Sequence, residues 1–131
     1  MLGFGTRLVV ADIPEVRDPI DWAARNPAKP GHEGGEAWTI HATPDWSRRH
    51  LASDRESVVA ALLAAFEEQN GPLPPPLHSA AHRWRYARSG KAGIGAYSRP
   101  EIGLAACGDW LIAPRVESAW LSGRQAAEAF L

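Results

Sequence analysis

Cysteine is almost absent from this 131-residue chain: Cys107 stands alone, which excludes an internal disulfide and a metal site built from cysteines only. No apolar run approaches the roughly 18 residues a bilayer-crossing helix needs. Net charge is also lacking, with 14 Lys plus Arg against 15 Asp plus Glu, so the bulk electrostatics give no pull toward nucleic acid or an anionic membrane. The opening residues, Met1-Leu2-Gly3-Phe4-Gly5, lack the extended apolar stretch of a secretory signal. A soluble cytoplasmic protein is the expectation. Hydrophobic residues at 45% and charged residues at 22% are ordinary globular usage and argue against disorder. A chain this long buries roughly two-thirds of its unfolded surface, enough for a core without covalent staples.

What is abundant is proline, at 11, and tryptophan, at 6. Trp22, Trp38, Trp46, Trp84, Trp110 and Trp120 follow no fixed interval, so no repeat architecture is indicated. A buried indole wants a partner for its N–H, so these residues mark core positions, with one or two suited to walling a ligand cavity.

Residues 6–13 are rich in β-branched residues and end at Pro14, which predicts a strand. A second strand is expected over 20–25, ended by Asn26-Pro27. Residues 27–35, with two prolines and three glycines, read as a loop, and 36–43 alternate as a third strand with Trp38, Ile40 and Ala42 on one side. Thr43-Pro44 is a helix start, opening a short helix to about Leu51. Ser53 to Glu56 forms a capping box before Val58, Val59, Leu62, Leu63 and Phe66, which recur at helical spacing up to a stop at Gly71. Asn70 to Leu77 (NGPLPPPL) is a stiff segment tending to polyproline geometry. Alternation over 78–87 predicts a strand carrying His78, Ala80, His82, Trp84 and Tyr86 on one face. A glycine-containing loop over 89–100, a small, fully apolar strand over 102–107 and a final helix over 115–131 complete the chain. That helix carries Val116, Ala119, Gly123, Ala126, Ala127 and Phe130 near one face. The fold class expected is α+β, a mostly antiparallel sheet with packed helices plus a C-terminal strand–helix unit.

Most candidate sites fail on chemistry. Gly3-Phe4-Gly5 lacks the third glycine of a dinucleotide loop and precedes a strand instead of following one. On a strand, His78 and His82 lie roughly 13 Å apart, too far to share an ion, and no metal site is expected. Arg83-Trp84-Arg85-Tyr86-Ala87-Arg88 with Lys91 interleaves cations and aromatics as single-strand nucleic-acid surfaces do. In a chain of balanced charge, a strand with aromatics inward is the favoured reading and no nucleic-acid partner is expected. Ser47, Ser118 and Ser122 have no nucleophile-elbow setting.

The end of the chain is the best candidate. A strand stops at Gly108-Asp109 and a helix of small residues starts soon after. Gly108 permits close backbone approach, Asp109 offers a carboxylate to a polyol hydroxyl, and the first helical turn presents unbonded N–H groups and a positive dipole end. Ser118, Ala119, Ser122 and Gly123 let the helix lie close to a sheet or a flat ligand. A plain strand–loop–helix with a capped turn would have the same pattern.

Gly108-Asp-Trp110 followed by Pro114-Arg-Val-Glu-Ser-Ala-Trp-Leu-Ser-Gly123 resembles the C-terminal FAD motif of the flavin amine-oxidase superfamily. The closer resemblance is to bacterial renalase-like NAD/FAD-dependent oxidoreductases. Counterparts in order are Trp22-Ala-Ala-Arg-Asn-Pro-Ala-Lys-Pro-Gly31, Trp38-Thr-Ile-His-Ala-Thr-Pro-Asp-Trp-Ser47 and His82-Arg-Trp-Arg-Tyr-Ala87. The resemblance implies a substrate-domain region over 1–87 and a C-terminal FAD-domain segment over 88–131. It implies a cofactor-binding set of Gly108, Asp109, Trp110, Arg115, Val116, Glu117 and Ala119. In that set Asp109 serves the ribityl or pyrophosphate part of FAD, and Arg115, Val116 and Glu117 open the helix facing the flavin pyrimidine ring. Trp84 and Tyr86 are implied on the substrate side. Ser118 replaces a glycine common at that point in the superfamily. The implied activity is hydride transfer from a small amine or dihydronicotinamide donor to flavin and then to oxygen. The strand, Gly-rich turn and helix with which the family begins have no counterpart here. The expectation is therefore a C-terminal part, inactive alone, that self-associates or takes its ADP-binding half from a separate chain. The alternative is a non-catalytic binding or oligomerising module that has lost flavin.

Overall fold

The computed structural model describes every residue except Glu33, Arg85, Tyr86, Arg88 and Ser89. It is an α+β chain of two compact units, Met1–Arg83 and Trp84–Leu131. Within the first, β1 (Leu2–Phe4), β2 (Ile20–Arg25), β3 (Glu36–Ala42) and β4 (His78–Ser79) form an antiparallel sheet in the order β2-β3-β1-β4.

The longest ladder joins β2 to β3, both expected from the sequence, with one register irregularity between Ile20 and Trp22. The strand expected over 6–13 is corrected: the sheet uses Leu2–Phe4 instead. Leu2 and Phe4 point inward opposite Trp38 and Glu36. Because β3 begins at Glu36, no partner strand continues past Phe4. Residues 6–13 are irregular, with Leu8 buried and Val9 fully exposed. Of the strand expected over 78–87, only two residues are strand among the described residues, where β1 offers Leu2 and Gly3 as partners. A last reciprocal pair links Met1 and Ala80, at 2.7 and 3.0 Å. Tyr86, expected on that strand's face, lies outside the described residues.

Two helices accompany this sheet. In α1 (Pro44–Arg49) the Thr43 hydroxyl accepts from the Trp46 amide at 3.3 Å, with Pro44 opening the first turn. In α2 (Arg55–Asn70) the cap is Asp54 and not Ser53. Ser53 closes the preceding turn through its amide to the His50 carbonyl. The Asp54 carboxylate takes both the amide and the hydroxyl of Ser57, each at 2.8 Å, and adds a negative charge at the positive end of the helix dipole. Gly71, at φ 89°, ends the helix as expected. Phe66 packs on Trp38 with ring centroids 5.3 Å apart, and Leu2, Phe4, Leu8, Ile20, Ala23 and Ala65 complete the core. Burying a side chain of the Phe66 class contributes about 2 kcal/mol, with a further ~1 kcal/mol from the ring pair.

The second unit holds β5 (Tyr97–Arg99) paired antiparallel with β6 (Leu104–Ala106), and α3 (Val116–Glu128). β5 falls in the segment read as a loop over 89–100. The apolar strand expected over 102–107 is shortened: Gly103 takes a left-handed turn at φ 67°, β6 is three residues long, and all three are exposed. α3 buries Ala126 of the face expected, but its other buried residues are Ser118 and Ser122. Ser118, Ser122 and Ala126 face inward, whereas Val116 (91% exposed), Ala119, Ala127 and Phe130 do not. Close approach decides this, since two hydroxyl-bearing residues and an alanine, four apart, admit backbone that Val116 or Phe130 would hold off.

Candidate functional site

The segment from β6 to α3 runs through Gly108 (φ 159°, ψ 164°), a backbone conformation that L side chains rarely adopt, a 3-10 turn over Asp109–Leu111, and the extended N-cap Arg115. Gly108 is required by contact. A Cβ there would stand 2.6 Å from Nε1 of Trp110, so the indole lies directly against the glycine backbone. Leu111 is the fully buried plug of the turn. Its carbonyl accepts from the amides of Gly93 and Ile94 at 2.8 and 3.1 Å, and the Trp110 carbonyl accepts from Ala92 at 3.0 Å. Residues 92–94 are thereby laced to the turn.

Ser122 ties this assembly to the helix. Its hydroxyl is wholly buried, accepts from the Gly108 amide at 3.0 Å and donates to the Gly95 carbonyl at 2.5 Å. One hydroxyl thus satisfies groups from the β6 exit and the 92–96 loop, which is what a buried polar atom must do. The sequence treated Ser122 as a small spacer. The signal that identifies it is a hydroxyl in the middle of a buried i, i+4, i+8 stripe, where it cannot stay unbonded.

The structure brings Gly108, Asp109 and Trp110 into one turn. Asp109 is half-buried, and its carboxylate has no side-chain partner among the described residues. Arg115, Val116 and Glu117 open α3 and are exposed. Arg115 supplies no side-chain cap, so the amides of Val116, Glu117 and Ser118 have no partner in the helix or its cap. The Glu117 carboxylate lies in that first turn, where it complements the dipole. Ala119 is exposed one turn on. Trp84 begins this unit and is largely exposed, and Tyr86 lies outside the described residues.

A second polar cluster, unforeseen from sequence, lies in the first unit. Oε1 of the buried Glu36 accepts from Nε1 of Trp38 at 2.8 Å and from the Leu8 amide at 3.2 Å, while Oε2 stands 3.6 Å from the Arg25 guanidinium. Arg25 donates through Nε to Asp12 at 2.7 Å. That hydrogen bond holds the Asp12 carboxyl below the usual aspartate range and raises Arg25. These contacts hold β2, β3 and the 6–13 segment together, so the cluster is a fastening.

Among the described residues no group of three or more His, Cys, Asp or Glu could hold a metal ion, and no helix is long and apolar enough to cross a membrane. A shallow cleft of about 230 Å³ lies between 6–10 and 70–74, in the first unit. No protein-family model matches the chain.

Proposed function

We propose that this chain forms the flavin-closing, C-terminal part of an FAD-dependent oxidoreductase of the renalase-like type. The observation that carries the reading is the uncapped first turn of α3, placed just after a glycine-bounded turn that holds a half-buried carboxylate. The donor set fits part of the cofactor. The amides of Val116, Glu117 and Ser118 would hold the electron-rich edge of a flavin ring, and the dipole behind them favours negative charge. Asp109 would accept from hydroxyls of the ribityl chain, with Arg115 as a cation for the anionic part. Gly108 and Ala119 permit close approach, Trp110 offers an indole face, and Trp84 and Tyr86 are assigned to the substrate side.

Bound FAD would supply the electron-accepting ring that takes a hydride from a small amine or dihydronicotinamide and passes the electrons to dioxygen. The chain's own contribution would be to bind and orient that ring and to favour its reduced, anionic form. No Gly-rich strand–turn–helix is present in the sequence to hold the ADP half. In this reading those contacts come from outside these 131 residues.

The test is a titration of the purified chain with FAD, followed by flavin absorbance and fluorescence. Saturable binding with a shifted spectrum, weakened in Asp109→Ala and Arg115→Ala, is expected. Absence of saturation at high micromolar FAD overturns flavin binding by the chain itself.

A second reading, an oligomerising module without flavin, draws on the exposed Leu104, Val116, Trp120 and Phe130, which leave the second unit an apolar surface. Under that reading, sedimentation shows a reversible self-association that Trp120→Glu abolishes while FAD has no effect.

A further inference from the structure

We infer that residues 72–77 are displayed as a polyproline II ligand for a partner protein whose groove is lined by aromatic rings and flanked by acidic side chains. The inference is independent of the flavin reading. Pro72, Pro74, Pro75 and Pro76 fix their own φ near −65°, and each proline drives the residue before it into the extended region. The backbone over 72–77 carries no helix or strand, as that geometry requires.

Burial along the segment repeats every three residues. Leu73 and Pro76 are half-buried, with Leu73 packed on the core of the first unit. Pro72 and Pro75 are exposed, and so are Pro74 and Leu77. Three is the period of a polyproline II helix, a three-edged prism. One edge is spent on the protein's own core, and two edges of proline rings and a leucine are left outward. Aromatic-groove domains read such a helix by two of its edges.

The segment is also fixed at both ends. The Gly71 amide donates to the Glu67 carbonyl at 2.9 Å, the Leu73 amide to Oε1 of Glu67 at 3.2 Å, and the Leu77 amide to the Gly3 carbonyl at 2.8 Å. No backbone bond among the described residues uses the carbonyls of 72–76, which leaves them as acceptors for indole or phenol donors. Ordering cost is therefore already met before binding. Arg7 and the fully exposed Val9 line the cleft beside residues 70–74. The Arg7 cation supplies the charge that an acidic rim beside an aromatic groove would complement, and it sets which end of the helix meets that rim.

The experiment uses the full-length chain and a panel of isolated, isotope-labelled SH3 domains, with amide chemical shifts as readout. At least one domain is expected to show saturable shifts at its groove aromatics. The Pro72→Ala/Pro75→Ala variant should bind about tenfold more weakly, the equivalent of about 1.4 kcal/mol, with an unchanged circular dichroism spectrum because both rings are exposed. Arg7→Glu should weaken binding as well. Absence of groove shifts across the panel, or equal binding by the proline variant, overturns the inference. Equal binding by Arg7→Glu overturns the acidic flank.

Discussion

The Ser122 hydroxyl accepts from the Gly108 amide at 3.0 Å across fourteen residues of sequence, and so joins the middle of α3 to the turn that carries Asp109. The same oxygen donates to the Gly95 carbonyl. Geometry at the candidate site thus depends on a residue that is not itself placed to touch a ligand.

Ser122→Ala removes both bonds and leaves the half-buried Gly108 N–H and Gly95 C=O without this partner. It should destabilise the chain by about 2 kcal/mol. Chemical denaturation followed by tryptophan fluorescence measures this, and a midpoint equal to that of the parent chain would show that water replaces the hydroxyl.

Gly108→Ala places a methyl group against the Trp110 indole. The expected cost is about 1–3 kcal/mol. The part of that cost owed to the indole should vanish when the substitution is made in a Trp110→Ala background, while the part owed to the backbone at φ 159° stays. A double-mutant cycle on unfolding free energies reads the coupling directly, and simple additivity would refute the contact.

Glu36→Ala strips the acceptor from the Trp38 indole N–H and the Leu8 amide and leaves Arg25 beside a void. Removing one member of a buried charge pair costs about 3 kcal/mol or more. Glu36→Gln keeps one acceptor and should lose less. Thermal unfolding of the two variants ranks them, and an equal loss would mean that charge outweighs hydrogen bonding here.

Asp12 and Asp54 both have their carboxyls held below the usual aspartate range, the first by the hydrogen bond from Arg25, the second by the amide and hydroxyl of Ser57. A depressed carboxyl contributes stability that is complete above its unfolded value, near about pH 4, and lost as pH falls through its folded value. Asp12→Asn and Asp54→Asn should each be less stable than the parent chain at neutral pH, and the gap should close below about pH 4. A gap that is constant with pH in urea titrations would assign the effect to packing.

Local chemistry made part of this fold legible. β3 follows from alternation, β2 from its stop at Asn26-Pro27 and α1 from Thr43-Pro44, because those signals need no distant partner. Asp54 took the cap expected of Ser53 because both side chains can cap and only the turn closed on His50 decides between them. β1 was hidden for another reason. Leu2-Gly3-Phe4 carries weak strand character, whereas 6–13 carries strong character, but pairing is granted by the reach of β3 and not by propensity. At the candidate site, the motif around Asp109 stood out in the sequence. Ser122 did not, since a serine among small helical residues resembles filler until Gly108 and Gly95 are seen around it.

The sheet order also sets a timetable for folding. β2 and β3 are neighbours in the chain and close their ladder over a short loop, at low entropic cost. β1 lies between β3 and β4, so Leu2 must meet Trp38 on one side and Ser79 on the other. The opening residues of this unit are thus among the last that it can seat. Until the proline segment has emerged and delivered His78 and Ser79, the β2–β3 hairpin stands with Leu2 and Phe4 held on one side only. Contacts of such long sequence separation slow folding, and the rate at which the first unit closes should follow the pairing of its opening strand.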